Sequence, residues 1–370
     1  MSEVKKEDVK KPEKPRYRGF LRLISLREKI NFVRNLAIVV KAAVPLVEGL
    51  TLIKMQTASR LLRDVIEEMI LNVNNGKTLA DSFGGYRHLF GDFFVSILNV
   101  GESSGTLVAS LNHLADDMEK SNDLKSKVRS ASVYPIVVFC ITIVVITFLV
   151  FFIFPKLLSV FENLNVQLPI TTKILIASST FLLNYGLYLL IGFVVLIIIS
   201  KILVSKVWGF RYFFNNLTLS VPLIGMLIKN INMANFARVL GVLLKSGIQI
   251  IDAITITSHT FGNAVYRQAI FGAAGEVQRG EQLANYLRSF KNNKLFSPLF
   301  VGLVGIGENT GTLDDNLEYL SDYYAKEVDY KLKNLTAVIE PLMLLFMGLL
   351  IGFVALSIIQ PIYQTTTAIK

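Results

Sequence analysis

Two corners of the chain each place one glutamate among turn-forming residues. Residues 101–107 read G-E-S-S-G-T-L, and residues 307–313 read G-E-N-T-G-T-L. Turn chemistry explains the glycines and threonines, but it does not require a carboxylate. Glu102 and Glu308 can therefore pair with an arginine inside the protein, or present an acidic site to a partner or a cation.

The other residues of the two corners indicate a tight connection between helices. Gly101 and Gly307 stand where a helix is expected to end, and Gly105 and Gly311 permit positive φ. The threonine after the second glycine can cap the helix that follows. A helix-to-helix corner is the simplest interpretation of this pattern.

Three more charged positions recur in both halves of the chain. Each is compatible with an ion pair inside a bundle of helices and also with a docking contact. The two arginines are in addition the candidate partners of the corner glutamates. The recurring residues are Arg34 and Arg238, Lys41 and Lys245, and Glu48 and Asp252.

The recurrence extends along the chain and indicates a duplicated module. Residues 32–50 read F-V-R-N-L-A-I-V-V-K-A-A-V-P-L-V-E-G-L and align without a gap with residues 236–254, F-A-R-V-L-G-V-L-L-K-S-G-I-Q-I-I-D-A-I. Each copy later runs into an apolar stretch that opens at a proline, Pro135 or Pro341. Each module is thus a soluble part joined to a membrane span.

The composition is that of a membrane protein with a basic soluble face. Hydrophobic residues make up 52% of the chain, and the formal net charge is +10. Three runs, 133–154, 174–200 and 341–363, are long enough and apolar enough to cross a bilayer, which needs about twenty residues of helix. Residues 1–24 form a basic tail without the apolar core of a cleavable signal peptide, and we expect them to be disordered.

The cations beside the apolar runs predict the orientation of the chain. They lie before the first run, after the second and before the third, so these flanks are expected to be cytoplasmic. The connector 155–173 and the tail 364–370 carry few charges and are expected on the far side. Two spans between the modules place both modules in the cytoplasm, with the N-terminus inside and the C-terminus outside.

Both soluble parts, 25–132 and 201–340, have the periodicity of short amphipathic helices. Ser25 and Glu28 form a capping box ahead of apolar residues at helical spacing, and Pro45 suits the first turn of the next helix. The sequence predicts an all-α membrane protein. It should contain two cytoplasmic antiparallel bundles of about six helices each and three transmembrane helices.

Patterns typical of catalysis or metal binding are sparse. Residues 74–78 read N-N-G-K-T and end like a phosphate-binding loop, but the leading glycine is missing and no strand precedes them. The three histidines have no partners at metal-ligand spacing, and the single cysteine, Cys140, lies in the first apolar run. We expect no catalytic site, cofactor, metal or nucleic-acid ligand.

The apolar runs carry information about transport and oligomerisation. None contains Asp, Glu, Lys, Arg or His, whereas carriers and pumps usually need such groups inside the membrane. This counts against an ion-coupled carrier, although an oligomeric membrane channel or carrier stays open as the alternative function. Gly348 and Gly352 form G-x-x-x-G in the third run, a close-packing face for another helix and a reason to expect a homo-oligomer in the lipid.

The ordered duplicate set resembles the type II secretion F domain family. Its features are F-x-R-x-L, a turn reading A-A-V-P at 42–45 and S-G-I-Q at 246–249, the G-E-x-x-G-T-L corner, and a span that opens at X-Pro. The usual turn of the family is A-G-V-P. The resemblance implies a non-enzymatic inner-membrane platform in a bacterial type IV pilus, type II secretion or competence system.

The implied partners of such a platform are also components of these machines. They are a cytoplasmic hexameric assembly ATPase, pilin or pseudopilin subunits, and other inner-membrane assembly proteins. Which of the three systems uses this chain stays open.

The orientation can be tested with reporter fusions. A reporter fused after Asn163 or Lys370 should read as external, and one fused after Asn263 should read as cytoplasmic, because the cations flank the sides that face both modules. An external reading at Asn263 would contradict the orientation.

Overall fold

The computed structural model of the protein describes residues 24–153, 170–289 and 295–368. All regular structure in these ranges is helical, including one π-helical segment, Leu149–Ile153. The predicted all-α fold is confirmed. Residues 1–23 of the predicted basic tail, most of the predicted connector and the last two residues of the chain lie outside the described ranges, whereas Ile24, the last residue of the predicted tail, is buried in the core.

The first repeat contains six helices and the beginning of a seventh. They are α1 (Leu26–Lys41), α2 (Leu46–Gln56), α3 (Arg60–Asn74), α4 (Leu79–Gly84), α5 (Arg87–Phe90), α6 (Asp92–Ser103) and α7 (Leu107–Phe148). The predicted capping box is present, because the Ser25 hydroxyl accepts from the Glu28 amide at 3.2 Å and the Glu28 carboxylate accepts from the Ser25 amide at 2.9 Å. Pro45 is the N-cap of α2, one position before the predicted first turn.

The second half of the chain follows the same order after two additional helices. The additional helices are α8 (Ile170–Lys206) and α9 (Trp208–Ser220). The repeat itself comprises α10 (Ile224–Lys245), α11 (Ile250–Thr260), α12 (Ala264–Gln278), α13 (Leu283–Ser289), α14 (Pro298–Thr310) and α15 (Leu313–Ala368). The aligned F-x-R-x-L segments lie in α1 and α10, and the two corners join α6 to α7 and α14 to α15.

A phenylalanine at the same aligned position, Phe32 or Phe236, lies buried in the core of each bundle. Phe32 of α1 packs on Phe83 with ring centroids 6.0 Å apart, and Phe236 of α10 packs on Phe300 at 5.6 Å. The buried apolar side chains of both repeats form one continuous core. The two bundles are therefore packed against each other and are not independent bodies.

The two corners have the predicted backbone but a different helix end. Gly105 and Gly311 adopt φ of 73° and 75°, so the predicted positive φ is confirmed. Gly101 and Gly307 lie inside α6 and α14, which corrects the prediction that a helix ends there. Their small size is needed for close approach between helices. A Cβ at Gly101 would lie 2.6 Å from the Cβ of Ser110, and one at Gly307 would lie 2.8 Å from a backbone Cα.

Two helices extend far beyond the bundles. α7 has 42 residues and α15 has 56, and both continue through the prolines at 135 and 341. At about 1.5 Å per residue they measure about 63 Å and 84 Å, whereas a bilayer core is about 30 Å thick. Each helix is thus long enough to combine a soluble segment with a membrane-spanning segment.

Within the described ranges, four helical segments are long and apolar enough to cross a membrane, by length and composition. They are Leu107–Ile153, Asn184–Lys206, Ile224–Lys245 and Leu313–Ser357. Three of them contain or overlap the predicted runs. The fourth is α10, and 56% of its most apolar window is buried inside the protein, compared with 6% or less in the other three. Most of the apolar surface of α10 is therefore already used by the core of the second repeat.

The turn between α1 and α2 generates a test of stability. Ala43 has φ of 55°, whereas the aligned residue of the second repeat, Gly247, has φ of 82°. A left-handed conformation costs alanine about 1–2 kcal/mol, and the greater freedom of glycine in the unfolded chain offsets about 0.4–1 kcal/mol of this. Ala43→Gly should therefore raise the free energy of unfolding by about 0.5–1 kcal/mol.

The measurement is thermal unfolding of the detergent-solubilised chain, followed by circular dichroism. Gly247→Ala should lower the midpoint, since only its backbone resists the change: a Cβ there meets no atom within 4 Å. Ala42→Gly is the control. Ala42 has φ of −78°, which is favourable for alanine, so glycine at this position relieves no backbone strain and should not raise the midpoint. A lower midpoint for Ala43→Gly would contradict the analysis of this turn.

Candidate functional site

The first corner glutamate caps the N-terminus of a short helix. The carboxylate of Glu102 accepts from the backbone amides of Leu79 at 2.7 Å and Ala80 at 2.8 Å. The side chain of Thr78 accepts from the Asp81 amide at 3.0 Å. These bonds satisfy amides that have no partner inside α4, and the positive end of the helix dipole favours the carboxylate charge.

The second corner repeats this arrangement. Glu308 accepts from the amides of Leu283 at 2.7 Å and Ala284 at 3.2 Å, which are the first amides of α13. Neither glutamate pairs with Arg34 or Arg238, so that predicted alternative is wrong in the structure. Both oxygens of each carboxylate bond within their own repeat. The glutamates therefore tie the corner of each bundle to a short helix.

Arg34 forms an ion pair inside the first repeat. Its guanidinium contacts Glu119 at 2.8 Å and Asp116 at 2.5 Å, both on α7. The hydrogen bond from Arg34 lowers the pKa of the Glu119 carboxyl, and the same contacts raise the pKa of Arg34. These groups are partly exposed, so the contribution to stability is small.

Arg238, at the aligned position, forms an ion pair with the other repeat. It contacts the carboxylate of Asp117 and donates to the backbone carbonyl of the same residue at 3.1 Å. The side chains of Arg238 and Asp117 are only 11% and 7% exposed. Burial raises the pKa of the Asp117 carboxyl, and the guanidinium of Arg238 acts in the opposite direction.

Two adjacent aspartates of α7 thus receive the equivalent arginines of the two repeats. Asp116 binds Arg34, and Asp117 binds Arg238. Of the two interpretations that the sequence leaves open, an ion pair inside the bundle holds for Arg34, whereas Arg238 contacts the other repeat. An alignment of α7 with α15 indicates this asymmetry, because Tyr323 of α15 occupies the position that corresponds to Asp117 of α7. Only α7 therefore has a second carboxylate for an arginine.

Other charged contacts line the junction between the repeats. Lys120 and Lys127 of α7 contact Asp322 and Asp329 of α15 at 2.9 Å and 2.8 Å. A cleft of about 370 Å³ lies between α7, α10 and α15 beside the buried pair. Among the described residues, the junction therefore contains one buried ion pair and two exposed ones beside an open cleft.

Lys245 pairs inside the second repeat with two residues of α15. Its ammonium contacts Glu318 and lies 3.8 Å from Asp315. The hydrogen bond raises the pKa of Lys245 and lowers the pKa of Glu318. Lys41, the aligned residue, is exposed at the end of α1.

The remaining predicted residues lie at exposed helix ends or in the membrane-length helices. Glu48 and Asp252 occupy the first turns of α2 and α11, where an acidic residue complements the helix dipole. Among the described residues, the structure records no ion pair for Lys41, Glu48 or Asp252. A Cβ at Gly348 or Gly352 would meet no atom within 4 Å, so none of the helices that the structure describes packs closely on them.

Within the described ranges there is no group of three or more His, Cys, Asp or Glu residues that could hold a metal ion. The acidic and basic groups of the junction instead neutralise each other in pairs. The arrangement can bind and position helices, and its chemistry is that of a docking and joining surface.

Fold and junction together define a duplicated helical protein with membrane-length helices. The family model described as "Type II secretion system (T2SS), protein F" matches residues 32–155 and again residues 236–361. These two matches cover more than half of the chain. The chain belongs to this family, and the resemblance inferred from the repeated motifs is confirmed.

Similar proteins carry names from two machines. The chain is 32% identical over 339 residues to the type IV pilus assembly protein PilC of Thermus thermophilus, covering 92% of this chain and 82% of the relative. It is 31% identical over 367 residues to the type II secretion system protein F of Aeromonas hydrophila, covering 97% of this chain and 92% of that relative. The names of these relatives belong to type IV pilus assembly and to type II secretion. Membership and apolar helices are consistent with an inner-membrane protein.

The glutamate caps can be tested by charge removal. Glu102→Gln should lower the free energy of unfolding by about 1–2 kcal/mol, because an amide has one acceptor oxygen for two backbone amides and lacks the charge. Glu308→Gln should behave alike, and Glu281→Gln at an exposed position is the control. Unchanged thermal unfolding of both variants would contradict a capping role.

The buried ion pair can be tested with a double-mutant cycle. Asp117→Leu or Arg238→Met alone should cost about 3–5 kcal/mol, because each leaves a buried charge without a partner. The double variant should recover much of this loss. Asp322→Leu, which removes one partner of an exposed pair, should cost at most about 1 kcal/mol. A double variant as unstable as the sum of the two single variants would contradict the coupling.

Proposed function

We propose that the protein is a non-enzymatic platform that couples a cytoplasmic assembly ATPase to the insertion or extraction of pilin or pseudopilin subunits. The observation that carries this proposal is the continuity of α7 and α15 from the cytoplasmic bundles into the membrane-length segments. A continuous helix passes displacement of one end to the other. Two such helices start from the continuous core that the two repeats share.

The proposed topology has three spans, with both repeats in the cytoplasm and the C-terminus outside. The spans are 133–154, 174–200 and 341–363. α10 is apolar enough to cross, but it stays in the second bundle because its residues are largely buried there and because Arg238 pairs with Asp117 of α7. An unpaired arginine in the centre of a bilayer costs several kcal/mol. This leaves an even number of spans between the repeats.

The proposed partners match the two kinds of surface. The ATPase binds the charged helical faces and corners of the bundles, and the pilin packs its hydrophobic helix against the apolar spans. Exposed side chains such as Val144 (66%), Leu190 (62%) and Leu349 (66%) are available for lipid, pilin, other inner-membrane assembly proteins or a second copy of the chain. Gly348 and Gly352 offer the closest approach for another helix.

The coupling can be tested where α7 leaves the bundle. Ser130 and Ser132 are exposed and lie between the junction and Pro135. Replacing both by glycine weakens the helix by about 0.5–1 kcal/mol per residue relative to alanine. The Ser130→Gly/Ser132→Gly variant should reduce assembly of filaments or pseudopili, and the matched variant with alanine at both positions should support normal assembly.

The readout is filament or pseudopilus assembly in a strain that lacks the chromosomal copy. Deletion should abolish assembly while the ATPase and processed pilins remain present, and the ATPase should copurify with the crosslinked full chain. Normal assembly in the deletion strain would contradict the proposal. Substrate flux through the purified protein in liposomes without an ATPase would favour a channel or carrier instead.

A further inference from the structure

Helix α9 exposes an apolar stripe on the side that faces away from the bundle. Tyr212 and Leu219 point towards the core, and Leu219 is only 7% exposed. On the opposite side Phe213 and Leu217, four residues apart, are 62% and 51% exposed. Phe214 is 37% exposed and belongs to the same outer face. The apolar stripe is thus separate from the surface that α9 uses for packing in its own chain.

This stripe is too apolar for a helix that faces water. Burying one large apolar side chain contributes about 1.5–3 kcal/mol, so several adjacent exposed ones favour a covering surface. Phe210 extends the stripe by one turn, with its ring centroid 5.2 Å from that of Phe214. Beyond the helix, Leu223 and Met226 continue the apolar surface at 61% and 50% exposure.

The position of α9 identifies what covers the stripe. Helix α8 ends at Lys206, Val207 is extended with φ of −106° and ψ of 109°, and α9 begins at Trp208. Two residues span at most about 7 Å. The headgroup layer on each side of a bilayer is about 5–7 Å thick. If α8 crosses the membrane with its apolar segment Asn184–Lys206, whose 23 residues are long enough to do so, α9 begins within or next to the headgroups.

The charges around α9 fit an anionic lipid surface. Lys201 and Lys206 are exposed in the last turns of α8. Arg211 donates to the carbonyl of Gly262 at 2.6 Å, which fixes α9 against the bundle with its apolar stripe turned outwards. Trp208 is 60% exposed, and tryptophan is enriched at membrane–water interfaces.

We propose that α9 is an interfacial helix that lies in the cytoplasmic headgroup layer and inserts Phe210, Phe213, Phe214 and Leu217 among the upper acyl chains. This inference rests on the proposed function, since it requires that α8 crosses the bilayer. It adds a contact with the membrane surface that holds the second repeat at a fixed distance from the bilayer. An apolar outer face, flanking cations and direct continuity with a span are the features of such helices.

The single tryptophan of the chain makes the test direct. The full-length protein is placed in vesicles of phosphatidylcholine and phosphatidylglycerol, with bromines on the upper or the lower acyl carbons of the phosphatidylcholine. In a Trp208→Phe background, Phe213→Trp and Leu217→Trp each place the fluorophore on the stripe. The tryptophan emission of both variants should lie at shorter wavelength than that of a tryptophan exposed to water. Bromines on the upper acyl carbons should quench it more strongly than bromines on the lower ones.

Two matched variants define the limits of the measurement. Tyr319 is 60% exposed on the part of α15 that is proposed to be cytoplasmic. The emission of the Tyr319→Trp variant should therefore be quenched by neither bromolipid. Leu190→Trp lies within α8 and should be quenched most by the lower-chain bromines. Circular dichroism of all variants should match that of the unchanged protein.

The outcomes separate the inference from the proposed function. Quenching at position 190 without quenching at positions 213 and 217 overturns the interfacial helix and leaves the span intact. Protection of these two positions from aqueous acrylamide without lipid quenching overturns it as well, because the stripe is then covered by protein. Absence of quenching at position 190 overturns both the span and the inference.

Discussion

The buried contact between Arg238 and Asp117 is the interaction on which the arrangement of the two repeats depends. A carboxylate and a guanidinium that are both almost fully buried each lose several kcal/mol of hydration, and only the partner and further hydrogen bonds offset this loss. The two groups belong to different repeats, so separating the repeats would leave a charge without its partner in a partly apolar junction. The exposed pairs along α7 and α15 orient the same junction at about 0–1 kcal/mol each.

The same contact breaks the symmetry that the duplication would otherwise produce. Arg34 and Arg238 occupy equivalent positions, yet both turn towards α7, because α7 has Asp116 and Asp117 where α15 has Asp322 and Tyr323. A single position therefore decides that the two repeats meet through unlike surfaces. Unlike surfaces leave different faces of each repeat exposed, so the two related bundles can bind different partners.

Features fixed by neighbouring residues were predictable from the sequence, and features fixed by distant ones were not. The capping box at Ser25 and the positive φ of Gly105 follow from local chemistry. The role of Glu102 depends on the amides of a helix that begins 23 residues earlier, and backbone amides have no residue signature. Composition likewise cannot separate a helix buried in protein from one buried in lipid, which is why α10 resembles a span.

In the proposed topology, the connections between the bundles and the three spans differ in a way that suits the proposed platform. α7 and α15 enter their membrane-length segments as uninterrupted helices, so tilting the bundle tilts them. α8 instead meets its bundle through the extended residue Val207 and the short helix α9. Two continuous connections and one broken connection give the soluble core unequal control over the spans. A machine that must move one membrane helix relative to another needs this inequality, because three equally rigid connections would move all spans together.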